Sequence, residues 1–140
     1  MLFIAHVKYL YLNVSYILVD PRTRCPTGIP RNINLFAYNN VCIELFHNQN
    51  SWFDSRKHCQ KHGGDLVVIQ DKTKQTFIIN ALTQTHWNRK GIWIGGTDKD
   101  KEGVWKWVTG IELKPANLIF AQIFFSGVRV TRSLVLYICL

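Results

Sequence analysis

Three carboxylates, Asp98, Asp100 and Glu102, fall in one polar loop between two tryptophan-bearing runs. Carboxylates so grouped suit calcium, but that ion takes about six to eight oxygen ligands at ~2.3–2.6 Å. One loop supplies two or three of them, and Lys99 and Lys101 oppose the cation. A solvated turn is the expected reading. His58 and His62 are one helical turn apart and flank Cys59, a spacing that can bind transition metals. No clear third ligand accompanies them, and a disulfide at Cys59 would remove its thiolate, so exposed histidines are expected. His47 and His86 read as loop residues. No G-x-S-x-G, H-E-x-x-H, phosphate-binding loop or cysteine-nucleophile context is present, so no enzymatic activity is expected.

The cysteines, Cys25, Cys42, Cys59 and Cys139, are four in number and include no C-x-x-C pair. That pattern argues against a zinc ribbon or a thioredoxin-like site and for disulfides formed in an oxidising compartment. Three connectivities are open to four cysteines. The sequon Asn13-Val14-Ser15 points the same way.

The elements that position these groups are legible in the apolar pattern. Gly91-Ile92-Trp93-Ile94-Gly95-Gly96 and Glu102-Gly103-Val104-Trp105-Lys106-Trp107-Val108-Thr109-Gly110 read as two short strands around the acidic loop. Trp105 and Trp107 are two apart, so on a strand their rings share a face. Rings of that size need a covering layer, at roughly 25 cal/mol per Å² buried. Val41-Cys42-Ile43-Glu44-Leu45-Phe46 reads as a further strand. Asn50-Ser51 signals a helix N-cap, and residues 52–62 follow to the stop Gly63-Gly64. Trp52 and Cys59 fall on one face of that helix. After the apolar run Leu66-Val67-Val68-Ile69, Asp71 caps a second helix over residues 72–84, with Phe77, Ile78, Ala81 and Leu82 at helical spacing.

The 140 residues allow one domain, and 47% hydrophobic with 19% charged residues is a globular composition. The formal charge of +8 suits polyanionic partners. The lysines and arginines are scattered, however, and no aromatic-studded basic motif emerges, so nucleic acid is not expected. Residues 1–24 form an apolar flank, interrupted by His6, Lys8 and Asn13; a signal peptide, an anchor and an extra strand are all open readings. Residues 111–140 are again apolar. Arg129 and Arg132 compromise a membrane span, since each costs roughly 2.5–3.5 kcal/mol near a helix centre. Buried or edge strands, a membrane-associated tail and an exposed aggregation-prone tail are the alternatives.

With the pieces in order, residues 25–110 resemble the C-type lectin-like domain family. Cys25-Pro26-x-Gly28 with Cys42 is similar to the N-terminal cysteine pair of the family's long form. Trp52-x-x-Ser55-x-x-x-Cys59 resembles the first-helix signature W-x-x-A-x-x-x-C. Gly64-Asp65-Leu66-Val67-Val68-Ile69 with Phe77-Ile78 resembles the run into the second helix. Trp93-Ile94-Gly95-Gly96 is similar to the core strand W-I-G-L, with Glu102-Gly103-x-Trp105-x-Trp107-x-x-Gly110 behind it.

The resemblance implies an α+β fold with two helices and a small antiparallel sheet, truncated or altered at its C-terminal end. It implies the disulfides Cys25–Cys42 and Cys59–Cys139, and a core signature of Trp52, Trp93, Gly95, Trp105 and Trp107. The domain is expected over residues 25–110, between the flank and a divergent tail. Lys74 stands where the family usually has glutamate. Asp98 and Glu102 match, in spacing, two carboxylates of the family's auxiliary calcium site. The Glu-Pro-Asn or Gln-Pro-Asp triplet and the Trp-Asn-Asp strand, which supply most ligands of the sugar-binding calcium, are missing from residues 111–140. The implied function is therefore a secreted or cell-surface recognition module for glycans, with no cofactor and no calcium-dependent sugar site. A calcium-independent protein-binding module and a truncated, regulatory or non-functional isoform are the alternatives. The ligand is a glycan or a protein, a polyanion among the choices, and membrane association is left open.

Overall fold

A computed structural model of the chain describes residues 19–48, 50–85 and 91–113 in full, and the backbone of residues 136–139. A short 3-10 turn, Pro21–Arg24, leads into β1 (Leu35–Tyr38) and β2 (Val41–Phe46). Asn39 and Asn40 join these strands with positive φ at both positions, +46° and +63°. That is the two-residue hairpin geometry asparagine tolerates, and the register runs from Tyr38↔Val41 to Leu35↔Glu44. Along β2, Ile43 and Leu45 are buried, while Cys42, Glu44 and Phe46 occupy the other face.

Helix α1 spans Trp52–Lys61. The Ser51 hydroxyl accepts from the Asp54 amide at 3.1 Å, satisfying one of the first-turn N–H groups. The helix ends in a Schellman motif. Gly63 N donates to Gln60 O at 3.1 Å and Gly64 N to Cys59 O at 3.0 Å. Gly63 takes the left-handed φ of +83° that this motif requires. Helix α2, Lys72–Gln84, is capped by the Asp71 carboxylate, which accepts from Lys74 N at 2.7 Å. It buries Ile78, Ala81 and Leu82, and Phe77 stacks on Tyr38 at 4.7 Å. The helix forms with lysine at its third position because Asp71 already satisfies the amide there.

Four strands form the main sheet in the order β1-β2-β6-β3. The last, β6 (Leu136–Cys139), lies between the hairpin and β3 (Ile92–Trp93). It runs antiparallel to β2, with Phe46↔Tyr137 and Glu44↔Cys139, and parallel to β3, with Trp93↔Tyr137. The sheet is thus antiparallel at β1–β2 and β2–β6, and parallel at β3–β6. The rest of 111–140, apart from 111–113 and 136–139, lies outside the described residues, as do residues 1–18, Gln49 and 86–90.

The two tryptophan runs meet across the acidic loop as an antiparallel pair, but through Gly96 and not through Trp93. Trp93 belongs to the main sheet, and β5 (Lys106–Trp107) pairs instead with β4 (Gly96–Thr97), Gly96 opposite Trp107. The chain turns at Gly95, immediately after the Trp93 run, which separates the two pairings. Nor is Leu66-Val67-Val68-Ile69 a regular strand, although all four residues are buried. Its backbone meets the turn instead, Gly95 N donating to Val67 O at 2.8 Å and Val108 N to Gly95 O at 2.7 Å.

Two apolar clusters result. The larger gathers Ile43, Leu45, the run Val67-Val68-Ile69, Ile78, Leu82, Ile92 and Trp107, with Trp105 packed against it. The smaller gathers Cys59 and Leu66 beneath Phe46, Trp52 and Trp93. Ser55, fully buried on α1, has a hydroxyl with no hydrogen-bond partner among the described residues. A buried hydroxyl left unsatisfied is destabilising. Ser55→Ala, which restores the residue of the family signature, is expected to add about 1 kcal/mol to unfolding free energy in urea titration.

Candidate functional site

Two places bring together the groups that the sequence singles out. The first is the loop between β4 and β5. Asp98 O accepts from Lys101 N at 3.1 Å, and its carboxylate accepts from Gly103 N at 3.2 Å. Lys99 N donates to Thr97 Oγ1 at 3.2 Å. The loop is thus a turn tied by its own backbone. Asp98 is half-buried and engaged in that turn, while Asp100 and Glu102 are exposed. Among the described residues, no three His, Cys, Asp or Glu side chains are grouped so as to hold a metal ion.

The second place is the cleft between β2 and α1. It encloses about 250 Å³, and its walls include Pro30, Glu44, Phe46, His58, His62 and Gly64. The outward face of β2 contributes Glu44 and Phe46, and the last turn of α1 contributes both histidines. His62 Nδ1 lies 2.8 Å from His58 O. A carbonyl only accepts, so Nδ1 is the donor in this contact. Burial pushes the Glu44 carboxyl above its ordinary range, with the charge of His62 opposing that rise. Burial also pushes His58 down, aided by the charges of His62 and Lys61.

The sign of the Glu44 effect follows. A carboxyl whose pKa is raised on folding binds its proton more tightly in the native state, so its ionised form at neutral pH opposes folding. Glu44→Gln is expected to gain about 0.5 kcal/mol at pH 7, a small figure because the carboxyl keeps solvent access. The gain should disappear as pH falls to the ordinary carboxylate range of about 4.5. Paired urea titrations at pH 7 and pH 4.5 measure it.

Tryptophan and arginine hold α1 in place. Trp52 Nε1 donates to Ile94 O at 2.8 Å, and Trp93 Nε1 donates back to Asn50 O at 2.9 Å. The start of α1 and the end of β3 are thus locked reciprocally by two indoles. Arg56 lies over the Trp52 ring at 5.7 Å and forks onto Asp65 at 3.0 Å and 3.1 Å. It also reaches Val108 O at 3.4 Å, tying α1 to the segment after β5. Sequence reading missed Arg56 and Asp65 as partners. Their only signal was the 52/56 helical spacing, which places guanidinium and indole on one face but says nothing of Asp65.

Cys25 and Cys42 form a disulfide with Cα atoms 5.7 Å apart. Cys59 is fully buried and also disulfide-bonded. The expected Cys59–Cys139 pairing involves a side chain outside those described. Of the expected core residues, Trp52 and Trp93 meet in the smaller cluster, Trp105 and Trp107 in the larger, and Gly95 lies at the turn leading from β3 to β4.

The architecture defines an α+β lectin-like domain, and comparison with known proteins gives the family. The sequence model described as "Lectin C-type domain" matches residues 48–129. The chain belongs to the C-type lectin-like domain family. It is similar to a perlucin-like protein of Mytilus galloprovincialis, 31% identical over 73% of this chain and 65% of that protein. It is also similar to C-type lectin domain family 4 member M of Symphalangus syndactylus, 33% identical over 70% of this chain and 21% of that protein. Asialoglycoprotein receptor 2 of Rattus norvegicus is 28% identical over 83% of this chain and 35% of the receptor. The matched part of the chain thus spans from about two thirds to one fifth of these relatives' lengths. In fold, the chain resembles the human scavenger receptor C-type lectin carbohydrate-recognition domain, with a TM-score of 0.55 at 18% identity over 82% of this chain and 96% of that one. The mouse counterpart gives 0.52 at 23% identity over 58% of this chain and 61% of that one.

Proposed function

We propose that the chain is an extracellular or cell-surface recognition module that binds glycans without a calcium-dependent sugar site. Membership of a lectin family supports the glycan. The single observation behind calcium independence is in residues 111–140. They contain neither the Glu-Pro-Asn or Gln-Pro-Asp triplet nor the Trp-Asn-Asp strand of calcium-binding relatives. The engagement of the Asp98 carboxylate by Gly103 N agrees with this reading for the auxiliary site. Among the described residues no helix is long and apolar enough to cross a membrane.

Charge refines the ligand class. All nine acidic residues but only eleven of the seventeen basic ones fall among the described residues. The remaining bases, Lys8, Arg89, Lys90, Lys114, Arg129 and Arg132, carry most of the positive excess. A polyanionic glycan would therefore draw chiefly on those segments, and its binding would weaken steeply with salt. A protein ligand is the second reading, favoured by Phe53, which is 62% exposed on α1 beside Trp52. Aromatic side chains exposed in this way are common interface anchors.

Binding of the purified chain to a glycan array, in millimolar calcium and again in EDTA, tests the proposal. Glycan binding of equal strength in both buffers is expected. A loss of tenfold or more in EDTA would contradict calcium independence, and the absence of any glycan signal would transfer the assignment to a protein ligand.

A further inference from the structure

Helix α1 turns one face away from the core. Its buried residues, Ser55 and Cys59, lie on one side. Phe53, Lys57 and Lys61 follow one another at intervals of four residues on the opposite side, and all three are exposed. Phe53 is the one phenylalanine, tyrosine or tryptophan that is exposed among the described residues. Its ring meets that of Trp52 edge-on, centroids 5.3 Å apart at 87°. We propose, building on the protein-ligand reading, that this ridge docks an acidic amphipathic helix of a partner protein.

Charge selects the partner. The ion pairs among the described residues join Arg22 to Asp20 and Arg56 to Asp65, and neither Lys57 nor Lys61 takes part in one. Asp54, the acidic residue next to Phe53, is engaged by the Ser51 hydroxyl, which donates to its Oδ2 at 2.6 Å. The two lysines stand one helical turn apart, without a counter-ion among the described residues. Carboxylates on a partner supply one. The formal charge of +8 on the whole chain favours the approach of an acidic surface.

Spacing selects the form of that partner. Side chains four apart on a helix make a ridge, and such a ridge packs into the groove between the ridges of a second helix. Phe53 enters the groove against apolar side chains. The methylene stems of Lys57 and Lys61 lie along its margin, and their ammonium groups reach carboxylates beside it. The roles divide accordingly. A buried aromatic anchor governs how slowly a complex comes apart, whereas charges at the rim govern how fast it forms and how far salt weakens it.

Surface plasmon resonance of the purified chain with a synthetic helical peptide, leucine along one face and glutamate on both flanks, tests the ridge. Saturable binding that weakens with salt is expected. Lys57→Gln combined with Lys61→Gln should slow association about tenfold, and Phe53→Ser should speed dissociation about tenfold. Lys72→Gln combined with Lys99→Gln removes the same charge elsewhere and should leave both rates within about twofold of the parent. Equal losses in the two lysine pairs, or unaltered rates in Phe53→Ser, would overturn the ridge while leaving a protein ligand in place, because the peptide still binds. No binding of the peptide would also overturn it, and heparin binding controlled by Lys57 and Lys61 would then give the face to a sulfated glycan. If Phe53→Ser fails to fold, the NMR signals of the Trp52 indole in the unaltered chain decide. They are expected to shift as the peptide is added, and constant signals would contradict the proposal.

Discussion

Replacing Gly95 by alanine is expected to destabilise the domain by about 2–3 kcal/mol, the range of overpacking a filled core. A Cβ at this position would stand 2.9 Å from Leu66 O, closer than real Cβ contacts occur, and 3.1 Å from Val67 O, tighter than most of them. Those neighbours are main-chain atoms of a wholly buried run, so they cannot rotate aside. Val108 Cγ2, at 3.0 Å, closes the remaining direction. The chain must either lengthen the hydrogen bonds that Gly95 makes to Val67 and Val108 or push the run away from Trp107. Thermal and urea unfolding measure the loss. A midpoint unchanged from that of the parent chain would mean that the turn yields freely and that the close approach is not part of the core.

The second large effect concerns Cys59. Cys59→Ser is expected to lower stability by about 4 kcal/mol, because the disulfide predicted with Cys139 would close a loop of roughly 80 residues. A serine hydroxyl at a site with no solvent exposure adds a desolvation penalty. Cys25→Ser opens a shorter loop, its cysteines separated by 17 in sequence, and is expected to cost about 3 kcal/mol. The ordering is the point. Should Cys25→Ser prove the more damaging in guanidinium titration, the long-loop pairing would be contradicted.

Much of this fold was legible because local signals and tertiary packing agree. Ser51 and Asp71 cap α1 and α2 as their side chains suggest, Gly63 stops α1 by adopting left-handed backbone, and Ile43 and Leu45 alternate into the core. The strand before Val41 went unread because Leu35–Tyr38 is short and half-buried. Its signal was the Asn39-Asn40 pair, a two-residue turn in which both residues tolerate positive φ. That Trp93 lies in the main sheet and Trp107 in the smaller one went unread for a different reason. Alternation of side chains identifies a strand but not its partner, and here Gly95 lets the chain leave one sheet for the other within two residues.

The candidate site was less legible than the core. The carboxylates of 98–102 read as a solvated turn, but sequence spacing could not reveal that the turn is tied by Gly103 N donating to an Asp98 carboxylate oxygen. His58 and His62 stood out by spacing alone. The Glu44 that shares their cleft comes from a strand remote in sequence and acquires its role from the pairing of β2 with the end of the chain.

That pairing supports everything else, since β6 joins the hairpin to the Trp93 strand and so completes the sheet under α1. Non-reducing peptide mapping of the folded chain tests it most directly. A fully oxidised chain yielding Cys25 linked to Cys42 and Cys59 linked to Cys139 is the predicted result. Cys139 recovered as a free thiol, or joined to any other cysteine, would contradict the placement of the C-terminal strand and the recognition module built upon it.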